Sequence, residues 1–404
     1  MSFENAMSWE ARANQAIAHG ALTNSKRPEC FVKGVYPTHL AKGKGCYVYD
    51  EKGRRWIDFI CALGTNLLGY AHRDINDRVK TQLDSGALFS LSSTLEVEFA
   101  EKVKETFSYV DRVRVLKTGT EGCLAAIRIA RAATGREIIL IDGYHGWGDD
   151  TVSLTPPANG VPLPRPWVMP LSSKGIPGIL DKTAAIIIEP VITDFSLGRV
   201  QELQELRTLC DKHKVALIYD ETITAMRFPS LSVASHTGIY PDISVFGKAL
   251  ANGLPISVVA GRAKLMDADY FVSSSFAGDC LAMRAAIETL KLAKAAVNGM
   301  WDYGERFQAD FNLIMPGFIR IEGYPTRGIF RAKDDLTKAL FFQEACKAGV
   351  LFGSTFFWCE PHAEESNFVL SLCRTILKRI ANGEVKLEGE LPVTPFAQKQ
   401  REKT

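Results

Sequence analysis

Two stretches decide the fold of this chain, VALIYDE (215–221) and DISVFGKALANGLPISVVAGR (242–262). They contain short, continuous runs of apolar residues, a pattern typical of strands buried on both faces of a parallel sheet. The same pattern occurs in EIILID (137–142) and AAIIIEP (184–190), and helical segments separate several of these runs. Alternating strands and helices predict an α/β fold with an open, mainly parallel central sheet.

Segments on either side of these strands extend the prediction. Helical periodicity marks TLEVEFAEKVKETF (94–107) and EGCLAAIRIARAATG (121–135), the second of which should end at its glycine. A hairpin is expected in GCYVYDEKGRRWIDF (45–59), where apolar residues alternate on both sides of a Lys-Gly turn. A long helix is expected in DCLAMRAAIETLKLAKAAV (279–297).

These elements predict two domains built from three parts of the chain. Residues 65–275 are expected to form a large domain around the mainly parallel sheet. Residues 1–64, as an N-terminal segment, and residues 276–404 are expected to form a smaller α+β domain from both chain ends.

Charge and hydropathy narrow the class of partner. The chain has 404 residues, and 48 Lys and Arg against 46 Asp and Glu leave a formal charge of +2. Such a small charge does not attract nucleic acids or acidic membranes in general, so we expect no direct nucleic-acid binding. No run approaches the roughly 18 apolar residues of a membrane span, and the N-terminus has no signal-peptide pattern. We therefore expect a protein without a membrane partner that acts on a small molecule.

The nine cysteines indicate the compartment. They show no pair with the two-residue spacing of zinc and redox sites, so we predict no metal site. Several of them, such as Cys123, lie in apolar segments, which indicates buried, reduced thiols. Reduced thiols favour a cytoplasmic location.

Polar residues follow several of the strands, where ligands bind in open α/β sheets. Thr118, Gly119 and Thr120 stand at the start of a helix, a position that suits a phosphate but is also an ordinary helix cap. The loop GYHGW (143–147) is rich in aromatic residues. Such residues either anchor a local core or stack on a flat ring.

Three ionisable residues complete the set. Glu189 and Asp220 each follow an apolar strand, where a carboxylate either forms an ion pair or holds a cationic ring nitrogen. Lys248 lies in a glycine-bounded turn; most lysines are surface charges, but one in an apolar turn can form an imine. A phosphate cradle, an aromatic stack, a carboxylate and a lysine are the parts that bind pyridoxal 5'-phosphate (PLP). Their order at successive strand ends therefore predicts this cofactor.

The sequence resembles the class III aminotransferases of fold type I, and most closely their glutamate-1-semialdehyde aminomutase-like branch. The resemblance is carried by the motifs TGTEG, GYHGW, IIIEPV, LIYDETITAMRF and FGKALANGLP. It implies the fold of a fold type I PLP-dependent transferase and a homodimer with shared active sites.

The resemblance also implies a role for each candidate residue. Lys248 would form the imine and shuttle protons, Asp220 would pair with the ring nitrogen, and Glu189 would lie near the ring or the substrate. The other expected cofactor-binding residues are Thr118, Gly119, Thr120, Tyr144, His145, Thr222 and, from the neighbouring subunit, Ser275.

The chain departs from the family pattern where the substrate would bind, so we do not expect a strict glutamate-1-semialdehyde aminomutase. Lys33, Arg227 and Arg327 are the cations that we expect to hold an anionic substrate group. The predicted function is an aminotransferase or aminomutase acting on an amino acid or on an amino or keto group of a small, sugar-linked or nucleotide-linked substrate. A PLP-dependent decarboxylase or lyase is the alternative, because substrate contacts select the bond that breaks. A non-catalytic relative is disfavoured because Lys248 is present.

Overall fold

The fold is known from a computed structural model, which describes residues 7–155, 158–172 and 176–394. The strands are β1 (Lys42–Lys44), β2 (Tyr47–Tyr49), β3 (Arg55–Asp58), β4 (Arg112–Leu116), β5 (Ile138–Asp142), β6 (Val168–Pro170), β7 (Thr183–Ile188), β8 (Ala216–Asp220), β9 (Ile243–Phe246), β10 (Ser257–Gly261), β11 (Ile319–Tyr324), β12 (Arg327–Ala332), β13 (Val350–Leu351) and β14 (Thr355–Phe357).

Helices cover both faces of the strands. The α-helices are α1 (Trp9–Ala16), α2 (Cys61–Gly64), α3 (Arg73–Ser85), α4 (Thr94–Thr106), α5 (Gly119–Thr134), α6 (Asp149–Val152), α7 (Leu197–His213), α8 (Val233–Thr237), α9 (Ala263–Met266), α10 (Cys280–Asn312), α11 (Asp335–Lys347) and α12 (Ser366–Ala381). Short 3-10 turns lie at Ala18–Gly20, Asn24–Lys26, Pro28–Cys30, Ile176–Gly178, Leu180–Lys182, Lys248–Ala251 and Glu360–Glu364. Within the described ranges, no helix is both long and apolar enough to cross a lipid bilayer.

The central sheet has seven strands in the order β4-β10-β9-β8-β7-β5-β6. The pairs from β9 to β6 are parallel, whereas β10 runs antiparallel to both β4 and β9. The connection from β9 to β10 spans residues 247–256, which is too short for a crossover helix, so the chain reverses direction there. The prediction of an α/β fold with a mainly parallel sheet is confirmed.

The continuous apolar strands are buried on both faces, as their sequences predicted. In β7, Ala185 and Ile187 pack into the cluster under α5, while Ile186 and Ile188 pack into the cluster under α7. This alternation follows from the two-residue period of a strand. The carboxyl ends of β5, β7 and β8 are thereby held side by side, and the polar residues that follow them meet.

Two smaller sheets lie outside the central one. The predicted hairpin is present as β2 and β3, and β13 from near the C-terminus adds to β3 in parallel. The second small sheet has the order β11-β12-β14. Strands from both chain ends thus share a sheet, as expected of the smaller domain, while the exact boundaries at residues 64 and 275 stay a prediction.

The predicted burial of the cysteines is confirmed for eight of the nine, while their reduced state stays a prediction. All nine lie in the described part of the chain and are free; eight are buried and Cys30 is half-buried. Two elements differ from the sequence-based expectation. Helix α10 continues to Asn312, well beyond the predicted end, and the edge strand β6 was not predicted.

Candidate active site

A cavity of about 540 Å³ opens beside the carboxyl ends of β7 and β8. Most of the residues singled out in the sequence line it: Thr118, Gly119, Thr120, Tyr144, His145, Glu189, Asp220, Thr222, Lys248 and Arg327. Side chains that are distant in the sequence thus meet in one pocket, as expected for an open α/β sheet.

The start of α5 forms one wall of the pocket. Thr118 caps the helix, its hydroxyl accepting a hydrogen bond from the Glu121 N–H (3.3 Å), and Glu121 accepts from the Thr118 N–H (3.2 Å). The N–H groups of Gly119 and Thr120 have no intrahelical acceptor and form the positive end of the helix dipole. A Cβ on Gly119 would lie 2.9 Å from the Thr222 methyl group, so glycine keeps this wall open. Thr118 can therefore cap the helix while the N–H groups of Gly119 and Thr120 remain available to a phosphate.

The GYHGW loop follows β5 and packs against this wall. Gly143 and Gly146 have φ values of 106° and 92°, which favour glycine. A Cβ on Gly146 would lie 2.2 Å from the Thr120 hydroxyl oxygen. The N–H of Tyr144 donates to Glu189 Oε1 (3.0 Å), so the loop also positions this carboxylate. Trp147 does not line the pocket.

Asp220 ends β8 and is buried at the pocket. Its Oδ1 accepts from the N–H (3.0 Å) and the hydroxyl (2.5 Å) of Thr222, and its Oδ2 accepts from His145 Nδ1 (2.9 Å). Burial alone would raise the pKa of Asp220, but the bonds and charge of His145 and the bonds from Thr222 hold it below its usual value. The carboxylate therefore stays ionised.

His145 is the cation that balances this carboxylate. Its Nδ1 faces Asp220, and its Nε2 lies 3.0 Å from the carbonyl oxygen of Asp142. Since both partners are acceptors, both ring nitrogens carry a proton. Burial lowers the pKa of His145, but the hydrogen bond and charge of Asp220 outweigh it and leave the pKa raised. His145 thus supports Asp220 from the wall of the pocket.

Lys248 follows β9 and begins a short 3-10 turn after Gly247. Its φ of 41° lies in the left-handed region, where a non-glycine residue is strained by about 1–3 kcal/mol. Burial lowers the pKa of its amine, while the charges of Asp220 and Glu189 oppose this shift. A lysine with a lowered pKa is a more available nucleophile near neutral pH.

Glu189 and Arg327 bring opposite charges to the same pocket. Burial and the neighbouring Asp220 raise the pKa of Glu189 above its usual value. Arg327 is buried, and its Nη1 donates to the carbonyl of Ile192. Its Nε is buried without a hydrogen-bond partner among the described residues. An unpaired buried donor is costly, so Arg327 has capacity for one more acceptor.

Two predicted substrate residues lie elsewhere. Arg227 is fully buried, and its Nη1 and Nη2 donate to the carbonyls of Trp358 (2.5 Å) and Gly64 (2.8 Å). It therefore joins distant segments of the core, which corrects the expectation that it contacts substrate. Lys33 is also outside the pocket, where it pairs with Glu29 (3.8 Å) and Glu390 (3.9 Å). Its sequence neighbourhood suggested a carboxylate contact, but the fold turns it towards these acids.

Ser275 does not line the pocket of its own chain and is exposed. Its predicted role, binding the cofactor phosphate of a neighbouring subunit, therefore stays a prediction.

The sequence reading missed several residues that line the pocket. They are Thr65, Lys117, Gly146, Ile192, Ile223 and the segment 253–256. Lys117 directly precedes the phosphate cradle, and this adjacency could have pointed to it. Thr65 carried no such signal, because it comes from a segment outside the central sheet.

The family model for class-III aminotransferases matches residues 32–167 and 176–355. This chain belongs to the class-III aminotransferase family. It is a PLP-dependent enzyme, since the family uses this cofactor.

Curated relatives support the aminomutase-like branch. The chain is 34% identical over 286 residues to a glutamate-1-semialdehyde 2,1-aminomutase of Syntrophobacter fumaroxidans, an alignment that covers 64% of this chain and 66% of the relative. It is 32% identical over 316 residues to the enzyme of that name from Desulfatibacillum aliphaticivorans, covering 70% and 72%. The chain thus spans about two thirds of the first relative's length.

The FumI protein of Sphingopyxis sp. MTA144, solved in its PLP internal aldimine form, shares the fold. Its TM-score is 0.84 at 22% identity, covering 95% of this chain and 98% of that one. At this identity the likeness shows the fold alone.

The pocket of this class-III aminotransferase fits PLP chemically. An ionised carboxylate, Asp220, is available to a protonated ring nitrogen, and the start of α5 suits a phosphate. Lys248 supplies an amine within the same cavity, and Gly119 keeps open the space that a Cβ would fill.

Proposed function

We propose that this enzyme transfers an amino group to or within a small substrate that carries an anionic group. The observation that carries the proposal is that Lys248, Asp220 and the α5 cradle share one pocket with Arg327. When bound, PLP supplies an electron sink for the carbon next to the reacting nitrogen. Amino-group transfer is favoured over the decarboxylase or lyase alternative by the aminomutase names of the curated relatives.

The residues of the pocket would contact different parts of the cofactor. Thr118, Gly119 and Thr120 would hold the phosphate, and Tyr144 would lie against the ring. Asp220 would keep the ring nitrogen protonated, with His145 holding the carboxylate in place at 2.9 Å. The amine of Lys248 would bind the cofactor and then carry a proton between atoms of the substrate.

Arg327 supports an anionic substrate. Its buried Nε lacks a partner within the described residues, and it comes from β12, outside the central sheet. An arginine held this way binds a carboxylate or phosphate strongly through charge-assisted hydrogen bonds. Glu189 lies in the same pocket and would orient a cationic or hydroxyl group of the substrate. An amino acid carries such an anion in its carboxylate, and a nucleotide-linked or phosphorylated sugar amine carries one in its phosphate.

The test of this proposal compares alanine with isopropylamine, in which a methyl group replaces the carboxylate. In single-turnover reactions with the PLP-loaded enzyme, Arg327→Gln should slow alanine and other amino acids by about 10- to 100-fold, the loss of a charge-assisted bond. The reaction of isopropylamine should slow much less, by no more than the shift in the Lys248 titration causes. The matched control is Arg320→Gln, which removes an exposed arginine that pairs with Glu322. Equal effects on both amines would contradict the role of Arg327.

The assembly and location are part of the proposal. We place the enzyme in the cytoplasm as a homodimer in which Ser275 completes the partner's phosphate site. The exposure of Ser275, and of its neighbours Phe271 (79% exposed) and Phe276 (61% exposed), supports a surface that another subunit covers.

A further inference from the structure

Cys123 contacts Asp220 from within the core and does not line the cavity. It lies in the second turn of α5, is fully buried, and packs in the cluster that contains Ile218 and Val245. Its Sγ is 3.2 Å from Asp220 Oδ2. Unlike His145 and Thr222, it does not line the pocket, so a ligand entering the pocket does not displace it.

The thiol completes the set of donors around the carboxylate of Asp220. Thr222 gives two hydrogen bonds to Oδ1, while His145 and Cys123 give one each to Oδ2. A carboxylate has about four lone-pair sites, so a ring N–H has to share Asp220 with donors on the pocket side. Cys123 does not line the pocket, so its thiol is not among those pocket-side donors.

Cys123 stays a donor because it stays protonated. Burial, reinforced by the negative charge of Asp220, raises the pKa of this thiol well above its usual value. The S–H group therefore stabilises the ionised carboxylate and lowers its basicity. A less basic carboxylate leaves a shared proton on the ring nitrogen.

We propose that Cys123 is a positioning residue, whose thiol holds the Asp220 carboxylate from the core side and so favours the protonated ring nitrogen of PLP. This inference rests on the proposed function of the pocket. It adds to the site a residue that touches neither substrate nor cofactor.

The experiment compares Cys123→Ala, which removes the donor, with Cys123→Ser, which keeps one. The control is Cys210→Ala, which removes an equally buried thiol on α7. Two properties are measured: the PLP affinity of the apoenzyme, and the ¹⁵N chemical shift of ¹⁵N-labelled PLP bound to the holoenzyme. Because a thiol is a weak donor to a charged group, Cys123→Ala should weaken PLP binding by about three- to tenfold. Its ¹⁵N signal should move towards that of neutral pyridine.

The conservative variant separates hydrogen bonding from packing. Cys123→Ser and Cys210→Ala should both match the wild type in the ¹⁵N shift and the PLP affinity. The proposal is overturned if Cys123→Ala matches the wild type, or if Cys123→Ser changes as much as Cys123→Ala.

A readout without cofactor keeps this inference distinct from the proposed function. The S–H stretching band of Cys123, obtained as the infrared difference between wild-type and Cys123→Ala apoenzyme, should lie at lower frequency than that of Cys210. If the Cys123 band lies at the same frequency as that of Cys210, the thiol donates no hydrogen bond to Asp220 and the inference is wrong. Wild-type protein that takes up no PLP would instead refute the proposed function.

Discussion

The chemistry of this pocket depends on how a few buried charges are balanced. Asp220 and His145 neutralise each other at 2.9 Å, so the carboxylate remains ionised despite its burial. Lys248 has no such partner at ion-pair distance in the described chain, and burial lowers its pKa. Its left-handed φ of 41° is a strain that the surrounding turn must hold. The pocket thus combines a fixed carboxylate with an amine ready to react.

The charges of Glu189 and Arg327 should move the titration of Lys248 in opposite directions. Glu189 raises the pKa of Lys248 and Arg327 lowers it. Glu189→Gln should therefore shift the pH profile of Lys248 reactivity to lower pH, and Arg327→Gln should shift it to higher pH. The measurement is the rate at which an amine-directed reagent labels Lys248 in the apoenzyme, followed by peptide mapping. Exposed Lys52 in the same sample serves as the internal reference; shifts of the same sign in both variants would refute this account.

Sequence reasoning located the residues that follow strands, and it also placed Arg327 in the pocket, but it failed for Lys33 and Arg227. Asp220 and Lys248 could be predicted because apolar strands place the next polar residue at a known sheet edge. Arg227 also follows such a strand, but the chain then folds its side chain into the core, onto the Trp358 and Gly64 carbonyls. That outcome depends on long-range packing, which local sequence does not encode.

At the scale of elements, the start of α5 and the GYHGW loop are fitted to each other. Gly146 approaches the backbone of Thr120 so closely that a Cβ would lie 2.7 Å from its Cα. The hydroxyl groups and N–H groups of the cradle therefore hold their positions only while residue 146 is glycine.

Gly146→Ala should weaken PLP binding by at least about tenfold, equivalent to about 1.4 kcal/mol, because the new methyl group displaces Thr120. The control is Gly160→Ala: its φ of 84° is also left-handed, but nothing lies within 4 Å of the added Cβ. This control should cost about 1–2 kcal/mol of stability with unchanged PLP affinity. PLP affinity is measured by titrating both variant apoenzymes, and stability by thermal unfolding. If Gly146→Ala binds PLP as tightly as Gly160→Ala, the close fit between residue 146 and the cradle is contradicted.

Most elements of the central sheet could be predicted, and the exceptions have physical reasons. The apolar runs predicted β5, β7 and β8, and helical periodicity with its terminal glycine predicted α5. The antiparallel direction of β10 is set by a short connection, which apolar periodicity alone does not show. The strand β6 has three residues, ends in Pro170 and lies at the edge of the sheet, so its sequence pattern is too short to read.

At the scale of the whole molecule, the pocket collects residues from distant parts of the chain. Thr65 directly follows α2 and Arg327 lies in β12, while Asp220, Glu189 and Lys248 lie at or just after the ends of strands of the central sheet. One small sheet therefore contributes to the pocket, through Arg327.

The shared site of the proposed dimer can be tested by mixing subunits. Ser275→Ala alone should weaken PLP binding at both sites. In a mixed dimer of one Ser275→Ala subunit and one Lys248→Ala subunit, the remaining Lys248 receives an intact Ser275 from the partner, so one site of wild-type affinity should return. Sedimentation measures the oligomeric state, and titration with PLP measures the affinity of each site. A monomer, or a mixed dimer as weak as Ser275→Ala, would contradict a contribution across the interface.

The most direct test of the account is to reduce the PLP-loaded enzyme with borohydride and locate the modified lysine by peptide mass spectrometry. The structure places two lysines in the pocket, Lys248 and Lys117. Lys117 is held by Asp279 (2.6 Å) and the Pro255 carbonyl (3.2 Å), whereas Lys248 has the lowered pKa. The account predicts a stoichiometric pyridoxyl group on Lys248 that is lost in Lys248→Ala; modification of Lys117 instead, or no modification in the pocket, would contradict it.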